Sequence, residues 1–295
     1  MNFENLKSLT IPEGRVKKIT IRGIDVWSEP TDGPWVELFA SINAGTYRTD
    51  YAIGDLIPLD LGTEGNINMQ IAGFDCDELA TGSNFAAVSL ISKELLNTSC
   101  RMNPSRSTGS SGYYTIGTGG IGGWWKSEMR YYIQNTIKSM IPYTIRSAIL
   151  DVTKKQTSYN TDSSSETQTT TDDIWIPSWS EIQNSSALYG ALFTDKANRV
   201  KAKVRGSASD WWTRQAYSSS GFLSVSSSGS NSGNGSANAD YGIAIGFCVG
   251  VGAPIPSARM LLNTMTRPTA YDPILDGGED IPDEQALSII TGGEI

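Results

Sequence analysis

The sequence predicts an α+β fold made of antiparallel sheets, two or three helices and long loops. Charged residues are only 18% of the 295-residue chain, while glycine is frequent, with 30 residues. A charged fraction below the roughly 25% of average soluble domains favours strands and loops over long helices when glycine and aromatic residues are also abundant. Short segments of alternating apolar residues indicate the strands, and a stripe of apolar residues at helical spacing indicates the principal helix.

Three regions are predicted along the chain. Residues 1–34 form an N-terminal hairpin and a linker, because apolar residues alternate in Ile19–Ile21 and again in Ile24–Val26 on either side of a short turn. Residues 35–252 form the main domain. Residues 253–295 are rich in Pro, Gly and acidic residues, and they form an extended C-terminal arm with one short helix. A hairpin alone is marginally stable in water, so the first region must pack on the main domain or on another subunit.

The first half of the main domain is predicted as a short helix followed by an antiparallel meander. Trp35–Ala40 is the candidate helix, and Leu56–Leu59 and Asn66–Phe74 are the candidate strands. Apolar residues occupy alternate positions in the longer strand, which places them on one face of a sheet.

The principal helix is predicted over Ser127–Met140. Ser127 is a favourable N-cap, and a glutamate follows it close to the positive end of the helix dipole. The apolar residues of its buried face recur every four positions: Met129, Ile133, Ile137 and Ile141. Pro142 ends this helix, and a second short helix is predicted over Tyr143–Leu150.

The second half of the main domain contains one long loop and several core segments. Residues 157–172 are rich in Ser, Thr, Asn and Gln, so we expect a long exposed loop, which is usually functional or mobile. A short helix begins around Ser178–Ile182. Trp211–Arg214 is predicted as a strand with buried aromatic residues, and Tyr241–Val249 as a central strand.

Charge and hydropathy exclude two classes of partner. The net charge is −8 and the pI is about 4.7, so the chain lacks the basic footprint that nucleic-acid binding requires. No stretch approaches the ~20 apolar residues of a membrane span, so no membrane insertion is expected. The first residues, Met1–Asn5, show no signal-peptide pattern. We therefore expect a chain that is made in a host cytoplasm and reaches the outside as part of a virion.

The amino-acid usage argues against catalysis and metal binding. The chain contains no histidine, which removes Ser-His-Asp and Cys-His catalytic sites and all His-ligated metals. Its three cysteines, Cys76, Cys100 and Cys248, are far apart and lack the spacing of a zinc site. Buried free thiols are the favoured interpretation, with a Cys76–Cys100 disulfide as the alternative. The prediction is a protein that is not an enzyme and has no cofactor, no metal and no catalytic residues.

The stretch from Trp211 to Val249 carries the functional prediction. Two core strands flank a segment, Ser226–Asp240, that is almost purely Ser, Gly, Asn and Ala. Small polar residues with tyrosine make adaptable contact surfaces, as they do in antibody loops. The predicted ligand-binding residues are Tyr217, Ser219, Phe222, Ser228, Asn231, Asn234, Asn238 and Tyr241. A solvated hairpin that binds no partner is the alternative interpretation of the same stretch.

An ordered set of residues resembles a known but uncharacterised domain of Firmicutes surface proteins and their phages. The resemblance covers about residues 35–250, and the residues that carry it are Ile53-Gly54-Asp55, Gly73-Phe74 with Asp77, Ser92-Lys93, Gly123-Trp124 with Ser127-Glu128-Met129-Arg130, Trp175-Ile176-Pro177-Ser178 with Glu181, Trp211-Trp212 with Arg214, and Gly246-Phe247.

That domain is similar to the C-type-lectin-like fold of formylglycine-generating enzymes and of the variable proteins of diversity-generating retroelements. The resemblance implies a lectin-like main domain, with Trp211–Val249 similar to the receptor-binding segments of those variable proteins. The paired cysteines of the formylglycine-generating enzymes are not matched, because Cys248 stands alone. The Glu-Pro-Asn and Gln-Pro-Asp tripeptides of calcium-dependent lectins do not occur, so neither of these activities is implied.

Two further clusters have both a functional and a structural interpretation. Asp75, Asp77 and Glu78 could bind calcium, although a solvated turn is the favoured interpretation because calcium sites need several oxygens at loop spacing. Trp124 and Trp125 could form a platform on which a sugar stacks. Core packing of at least one of the two is favoured.

Three functions are considered. The first is a phage virion surface protein of a tail tip or fibre that binds a host cell-surface glycan or protein. The second is a structural decoration or head-fibre protein without a receptor role. In both cases residues 1–27 and 253–295 would contact other virion proteins, and a homo-oligomer such as a trimer is expected. The third is a carbohydrase that uses two carboxylates, for which the sequence nominates no pair.

Overall fold

Four antiparallel sheets organise the residues that the computed structural model describes. These residues are 16–21, 24–28, 33–82, 84–103, 120–252 and 287–291. Every strand ladder within them is antiparallel, and helices accompany the sheets, so the predicted α+β class is confirmed. The chain divides into two compact units, one of Met1–Gly33 with Ile255–Ile295 and one of Pro34–Pro254.

The smaller unit contains a three-stranded sheet. β1 (Val16–Ile21) and β2 (Ile24–Ser28) form the predicted hairpin, and β14 (Leu287–Thr291) pairs with the other side of β1. The prediction of a short helix in the C-terminal arm is therefore wrong for Leu287–Thr291. Five residues are too few for a stable isolated helix, whereas pairing with β1 supplies backbone hydrogen bonds to a segment with β-branched residues.

The largest sheet forms the centre of the Pro34–Pro254 unit. Its order is β3-β4-β5-β13-β6, and β9 also pairs with β13. The strands are β3 (Leu56–Asp60), β4 (Asn66–Phe74), β5 (Val88–Ser92), β6 (Ile149–Leu150), β9 (Ile174–Trp175) and β13 (Gly246–Val249). All residues of β5 and β13 are buried. The predicted meander is confirmed, and the predicted central strand Tyr241–Val249 is confirmed only over Gly246–Val249.

A helix covers this sheet through aromatic contacts. α1 (Gly33–Ala44) contains the predicted helix Trp35–Ala40, and a one-turn helix α2 (Tyr47–Asp50) follows it. Trp35 donates from Nε1 to the carbonyl of Pro58 in β3 at 2.7 Å, and its ring stacks on Phe247 of β13 with centroids 5.9 Å apart. One side chain thus ties the helix to an edge strand and to the sheet centre.

The principal helix is confirmed, with a change of helix type in its middle. It consists of α3 (Glu128–Tyr132), a π-helical turn (Ile133–Ile137) and α4 (Lys138–Met140), and its predicted apolar stripe is buried. A spacing of four residues drifts by about 40° per step on an α-helix of 3.6 residues per turn. The wider π-helical turn compensates part of that drift and keeps the stripe on one side.

The next helix is shorter than predicted. α5 spans Tyr143–Arg146, and Ile149–Leu150 form β6 instead of continuing the helix. β6 pairs with β13, which satisfies its backbone groups at the edge of the large sheet.

The predicted loop at 157–172 is wrong, because most of it is a hairpin. β7 (Val152–Tyr159) pairs in register with β8 (Ser165–Asp172) around the turn 160–164. The inward positions of β7 are polar, with Lys154 buried at 1% exposure and Gln156 at 4%. The alternation that normally identifies a strand is therefore hidden in the sequence, because both faces carry polar residues.

The third sheet of the larger unit contains the predicted functional stretch. β10 (Trp211–Ser218), β11 (Gly221–Val225) and β12 (Asn231–Ser236) pair in that order. The predicted strand Trp211–Arg214 is confirmed, and part of the polar segment is also a strand. α6 (Trp179–Ile182) begins with a capping box between Ser178 and Glu181, and a 3₁₀ turn spans Lys196–Arg199.

A buried network of charged side chains holds these layers together. Lys154 of β7 donates to Asp77 at 2.5 Å and to the hydroxyl of Tyr189 at 2.6 Å, and it lies 3.7 Å from Glu181. Both oxygens of Glu181 accept from the guanidinium of Arg214 in β10, one of them at 2.7 Å from Nη1. Every charge in the network therefore has an opposite charge beside it.

The two carboxylates of the network are kept ionised by these cations. Burial raises the pKa of Asp77, but the ammonium of Lys154 and the hydroxyl groups of Ser89 and Tyr189 together outweigh it, and the net pKa is lowered. Glu181 behaves in the same way: burial raises its pKa, and Arg214 with Lys154 outweighs that effect. A buried ion pair contributes little compared with apolar packing, but losing one partner is costly.

Removing Arg214 should destabilise the domain strongly. Arg214→Met leaves the Glu181 carboxylate without its bidentate partner, so we expect a loss of about 3–5 kcal/mol in the free energy of unfolding, measured by urea denaturation. The double variant Arg214→Met with Glu181→Gln leaves no uncompensated charge at this position and should regain part of that loss. A single variant that loses less than about 1 kcal/mol would contradict the role assigned to the pair.

Lys201 is a second buried cation, and its partners are carbonyl groups. Its Nζ donates to the carbonyl of Ser92 and, at 3.3 Å, to that of Lys93, and the rings of Phe193 and Trp211 lie 5.7 Å away. Burial lowers the pKa of Lys201 to about 7. The unfolded chain has the ordinary lysine pKa, so it binds one more proton than the folded chain above neutrality.

The stability of the domain should therefore rise with pH just above neutrality. Between about pH 7 and pH 8 we expect Lys201 to add up to about 1.4 kcal/mol per pH unit to the free energy of unfolding, because only the unfolded state keeps its proton there. Above this range the three thiols, whose pKa values burial raises, act in the opposite direction. Lys201→Met should flatten this slope in urea denaturation curves taken across that range. An unchanged slope in the variant would show that other groups cause it.

Candidate functional site

Several of the residues that carry the sequence resemblance are buried and structural. Asp77, Glu181 and Arg214 belong to the buried charge network. Trp124 is fully buried, and its Nε1 donates to Asp172 at 3.0 Å. A side chain at Gly246 would overlap the ring of Trp175. These buried residues position the strands.

The predicted ligand-binding residues do not form one surface. β11 pairs Gly221 with Ser236 and Val225 with Asn231, so the sheet has two distinct ends. Tyr217, Ser219 and Asn238 lie at or beyond the first end, and Ser228 and Asn231 lie at the other. The two ends are separated by the length of β11, about 13 Å.

Two of the predicted residues are parts of the scaffold. Phe222 is completely buried, so its assignment as a ligand contact is wrong: its position in β11 directs the ring into the core. Tyr241 is half-buried, and its ring tilts against Trp212 with centroids 4.5 Å apart. Tyr217 is 52% exposed, and Ser228, Asn231 and Asn238 are also exposed. The side chain of Asn234 lies outside the described residues.

The turns of two hairpins meet at one end of the third sheet. The hydroxyl of Ser163, in the turn between β7 and β8, lies 3.1 Å from that of Ser219, in the turn between β10 and β11. The backbone of Ala237, just after β12, donates to Ser220 at 3.4 Å. We call residues 160–164, 217–220 and 236–238 together the tip surface.

Local hydrogen bonds hold the first of these turns in a defined conformation. Asp162 accepts at Oδ1 from the backbone of Ser164 at 2.9 Å and from its hydroxyl at 2.6 Å. These bonds lower the pKa of the exposed Asp162 carboxyl. Ser163 adopts a left-handed backbone with φ of 68°. The tip surface thus presents hydroxyl and amide groups, one carboxylate and the ring of Tyr217, which suits hydrogen bonding to a polar ligand.

Trp125 extends the exposed surface along the flank of the β7–β8 hairpin. The segment that carries it follows β7, because Gly122 donates to the carbonyl of Tyr159 at 2.9 Å. The backbone of Trp125 donates to Oε1 of Gln168 in β8 at 3.0 Å, and its side chain is 54% exposed. The prediction that at least one of the paired tryptophans packs in the core is confirmed for Trp124.

Sequence reasoning missed the turn 160–164 as a part of the site. Its composition, Asn-Thr-Asp-Ser-Ser between two segments rich in Ser and Thr, is typical of a turn and was the available signal. Its position beside Ser219 follows from the packing of β7 against β10, where Nε of Arg214 donates to Gln156 at 3.0 Å.

The acidic cluster and the cysteines are structural in the described residues. Asp75 pairs with Arg48 on the outside, whereas Asp77 is buried, so the favoured interpretation of a solvated turn is wrong for Asp77. The three cysteines are free thiols, which excludes the Cys76–Cys100 disulfide, although only Cys248 is fully buried. Burial raises the pKa of Cys76 to about 11, so its thiol stays protonated near neutrality and is a poor nucleophile.

A cleft of about 420 Å³ lies away from the tip surface. Its lining residues are Leu79, Thr81, Lys138, Arg146, Ile149, Leu150, Asp151 and Asp173. Lys138 pairs with Asp173, and Nη1 of Arg146 donates to the carbonyl of Ser139 at 3.0 Å. The two cations of the cleft are therefore already engaged within the protein.

One comparison with known proteins gave a match. A family model described as a domain of unknown function, DUF6273, matches residues 90–260. The match includes the tip surface, Trp125 and the third sheet, and it begins after β4. No curated protein and no solved structure matched the chain. In the described residues, no helix combines the length and the apolar character needed to cross a membrane.

The tip surface should depend on a glycine at position 120. Gly120 donates to the carbonyl of Ser219 at 3.2 Å, and a side chain there would overlap the carbonyl oxygen of Ser218. We expect Gly120→Ala to lower the free energy of unfolding by about 1–3 kcal/mol in urea denaturation, because the β10–β11 turn must move. Gly33→Ala is the control, since no atom lies within 4 Å of the added group. Equal stability of the two variants would contradict this close approach.

Proposed function

This chain belongs to the DUF6273 family, and we propose that it is a phage virion surface protein of a tail tip or fibre that binds the host surface through its tip surface. In this proposal the Pro34–Pro254 unit is a C-type-lectin-like display domain. The smaller unit, with the N- and C-terminal segments, attaches the chain to other virion proteins.

The observation that carries the proposal is the contact between Ser163 and Ser219. It brings the turns of two different hairpins into one exposed surface, at an oxygen–oxygen distance of 3.1 Å. The same two hairpins are joined beneath their turns by the hydrogen bond between Arg214 and Gln156. Two points of attachment limit the independent motion of the turns, and a preorganised surface loses less entropy when it binds.

The chemistry of the tip surface supports binding rather than catalysis. Tyr217 offers a large amphipathic ring with few rotatable bonds, and the surrounding serines and asparagines offer both donors and acceptors. The carboxylates Asp77 and Glu181 are held in the buried network and do not reach this surface. Weak contacts of this kind gain strength when several copies bind one cell, as expected for a homo-oligomer on a particle.

A second candidate is a structural decoration or head-fibre protein. It is favoured by the sheet of the smaller unit, in which β2 and β14 each pair on one side only among the described residues. An unpaired strand edge is a template for adding a strand from another chain. In this case the terminal segments would carry the function by docking on a neighbouring subunit. Electron microscopy of particles with an antibody against this chain distinguishes a tail tip from a capsid position.

Shortening Tyr217 should weaken host binding without unfolding the domain. Phage particles that carry Tyr217→Ala should adsorb to host cells about tenfold more slowly, the effect of losing about 1.4 kcal/mol at a contact residue. Adsorption is measured as the disappearance of free particles. Tyr143→Ala is the control, because Tyr143 is similarly exposed at 50% but lies on α5, outside the tip surface. Equal adsorption by both variants, with unchanged thermal stability, would contradict the receptor role.

A further inference from the structure

Trp125 is exposed, although most of the tryptophans in the described part of the chain are buried. Five tryptophans are exposed by 1% or less, whereas Trp125 is exposed by 54%: the buried ones are Trp35, Trp124, Trp175, Trp211 and Trp212. An indole ring left in water forgoes the favourable burial that the others obtain. Tryptophan is also enriched among the residues that dominate binding energies. The ring of Trp125 is therefore a candidate for contact with a ligand.

The neighbours of Trp125 hold its backbone and its ring in place. Gln168 accepts from the backbone of Trp125 at 3.0 Å and donates from Nε2 to the carbonyl of Gly122 at 3.2 Å. The ammonium of Lys126 lies 5.4 Å from the centroid of the Trp125 ring. Lys126 therefore supports the ring by a cation–π contact, and the rest of the ring remains open to solvent.

A carboxylate lies on the same face of β8 as Gln168, which holds the backbone of Trp125. Side chains alternate along a strand, so Glu166 shares the face of β8 with Gln168, about 7 Å further toward the turn 160–164. Glu166 is exposed. An exposed aromatic residue, held at Gln168, and an exposed hydrogen-bond acceptor, Glu166, are thus placed at successive positions of one face of β8.

We infer that Trp125 and Glu166 form a subsite for a pyranose ring of a neutral glycan. One face of a pyranose carries C–H groups that stack on an indole, and its hydroxyl groups donate to a carboxylate. An acidic sugar whose carboxylate faces Glu166 fits less well, because the two like charges repel each other. This inference rests on the proposed function, since it names the ligand class that the extended surface takes.

Saturation-transfer NMR of the full chain tests the subsite. The probes are glucose, galactose, mannose and N-acetylglucosamine as neutral sugars, and glucuronic acid as the acidic one, each at millimolar concentration. We expect at least one neutral sugar to receive saturation, strongest at its ring C–H protons. Trp125→Ala should abolish that signal, Trp125→Phe should retain part of it, and Glu166→Gln should weaken binding about tenfold. Tyr143→Ala, another exposed aromatic residue, should leave it unchanged.

The results separate this subsite from the proposed host binding. No signal from any neutral sugar, a signal from glucuronic acid alone, or a signal that survives in Trp125→Ala would overturn the subsite. If Tyr217→Ala slows adsorption while no sugar binds, host binding stands and the subsite fails. If a neutral sugar binds at Trp125 while neither Tyr217→Ala nor Trp125→Ala alters adsorption, the subsite stands and the host-binding role fails.

Discussion

The contact of Lys154 with Asp77 and Glu181 is the interaction on which the larger unit depends. It joins β7 to the segment after β4 and to α6, and Arg214 extends it to β10. These segments are far apart in the chain, and β7 and β10 belong to different sheets. Ions buried in a low dielectric tolerate no missing partner, so the network permits one arrangement of the layers and penalises others. In this protein, the buried charged side chains determine how the sheets pack against one another.

The same network explains why the exposed surfaces are where they are. The inward face of β7 is polar, and Arg214 of β10 donates a hydrogen bond to Gln156 on that face. The β7–β8 hairpin therefore lies against β10. Its turn then projects beside the β10–β11 turn, where Ser163 meets Ser219. A scaffold of buried tryptophans and ion pairs thus carries short polar turns at its surface. Such a division suits a protein that presents a binding surface.

Most of the residues that carry the sequence resemblance differ from the residues that we propose as ligand contacts. Trp124 and Trp125 are adjacent in the chain, yet one donates to Asp172 inside the protein and the other lies open on the surface. Trp124 is held in the core by packing, whereas Trp125 is held at the surface by the hydrogen bond from its backbone to Gln168. The same separation applies to Phe222, which packs in the core, and Tyr217, which faces solvent in the preceding strand.

The sequence by itself determined the α+β class, the hairpin of β1 and β2, the meander, and the principal helix with its buried stripe. These follow from local periodicity and capping, which neighbouring residues encode directly. The tertiary structure alone decided that 157–172 is a hairpin, because its inward residues are polar and their partners, such as Arg214, come from distant segments. It also decided which exposed residues share a surface. A shared surface depends on which strands pair with one another, and the sequence of one segment does not specify which distant segments will lie beside it.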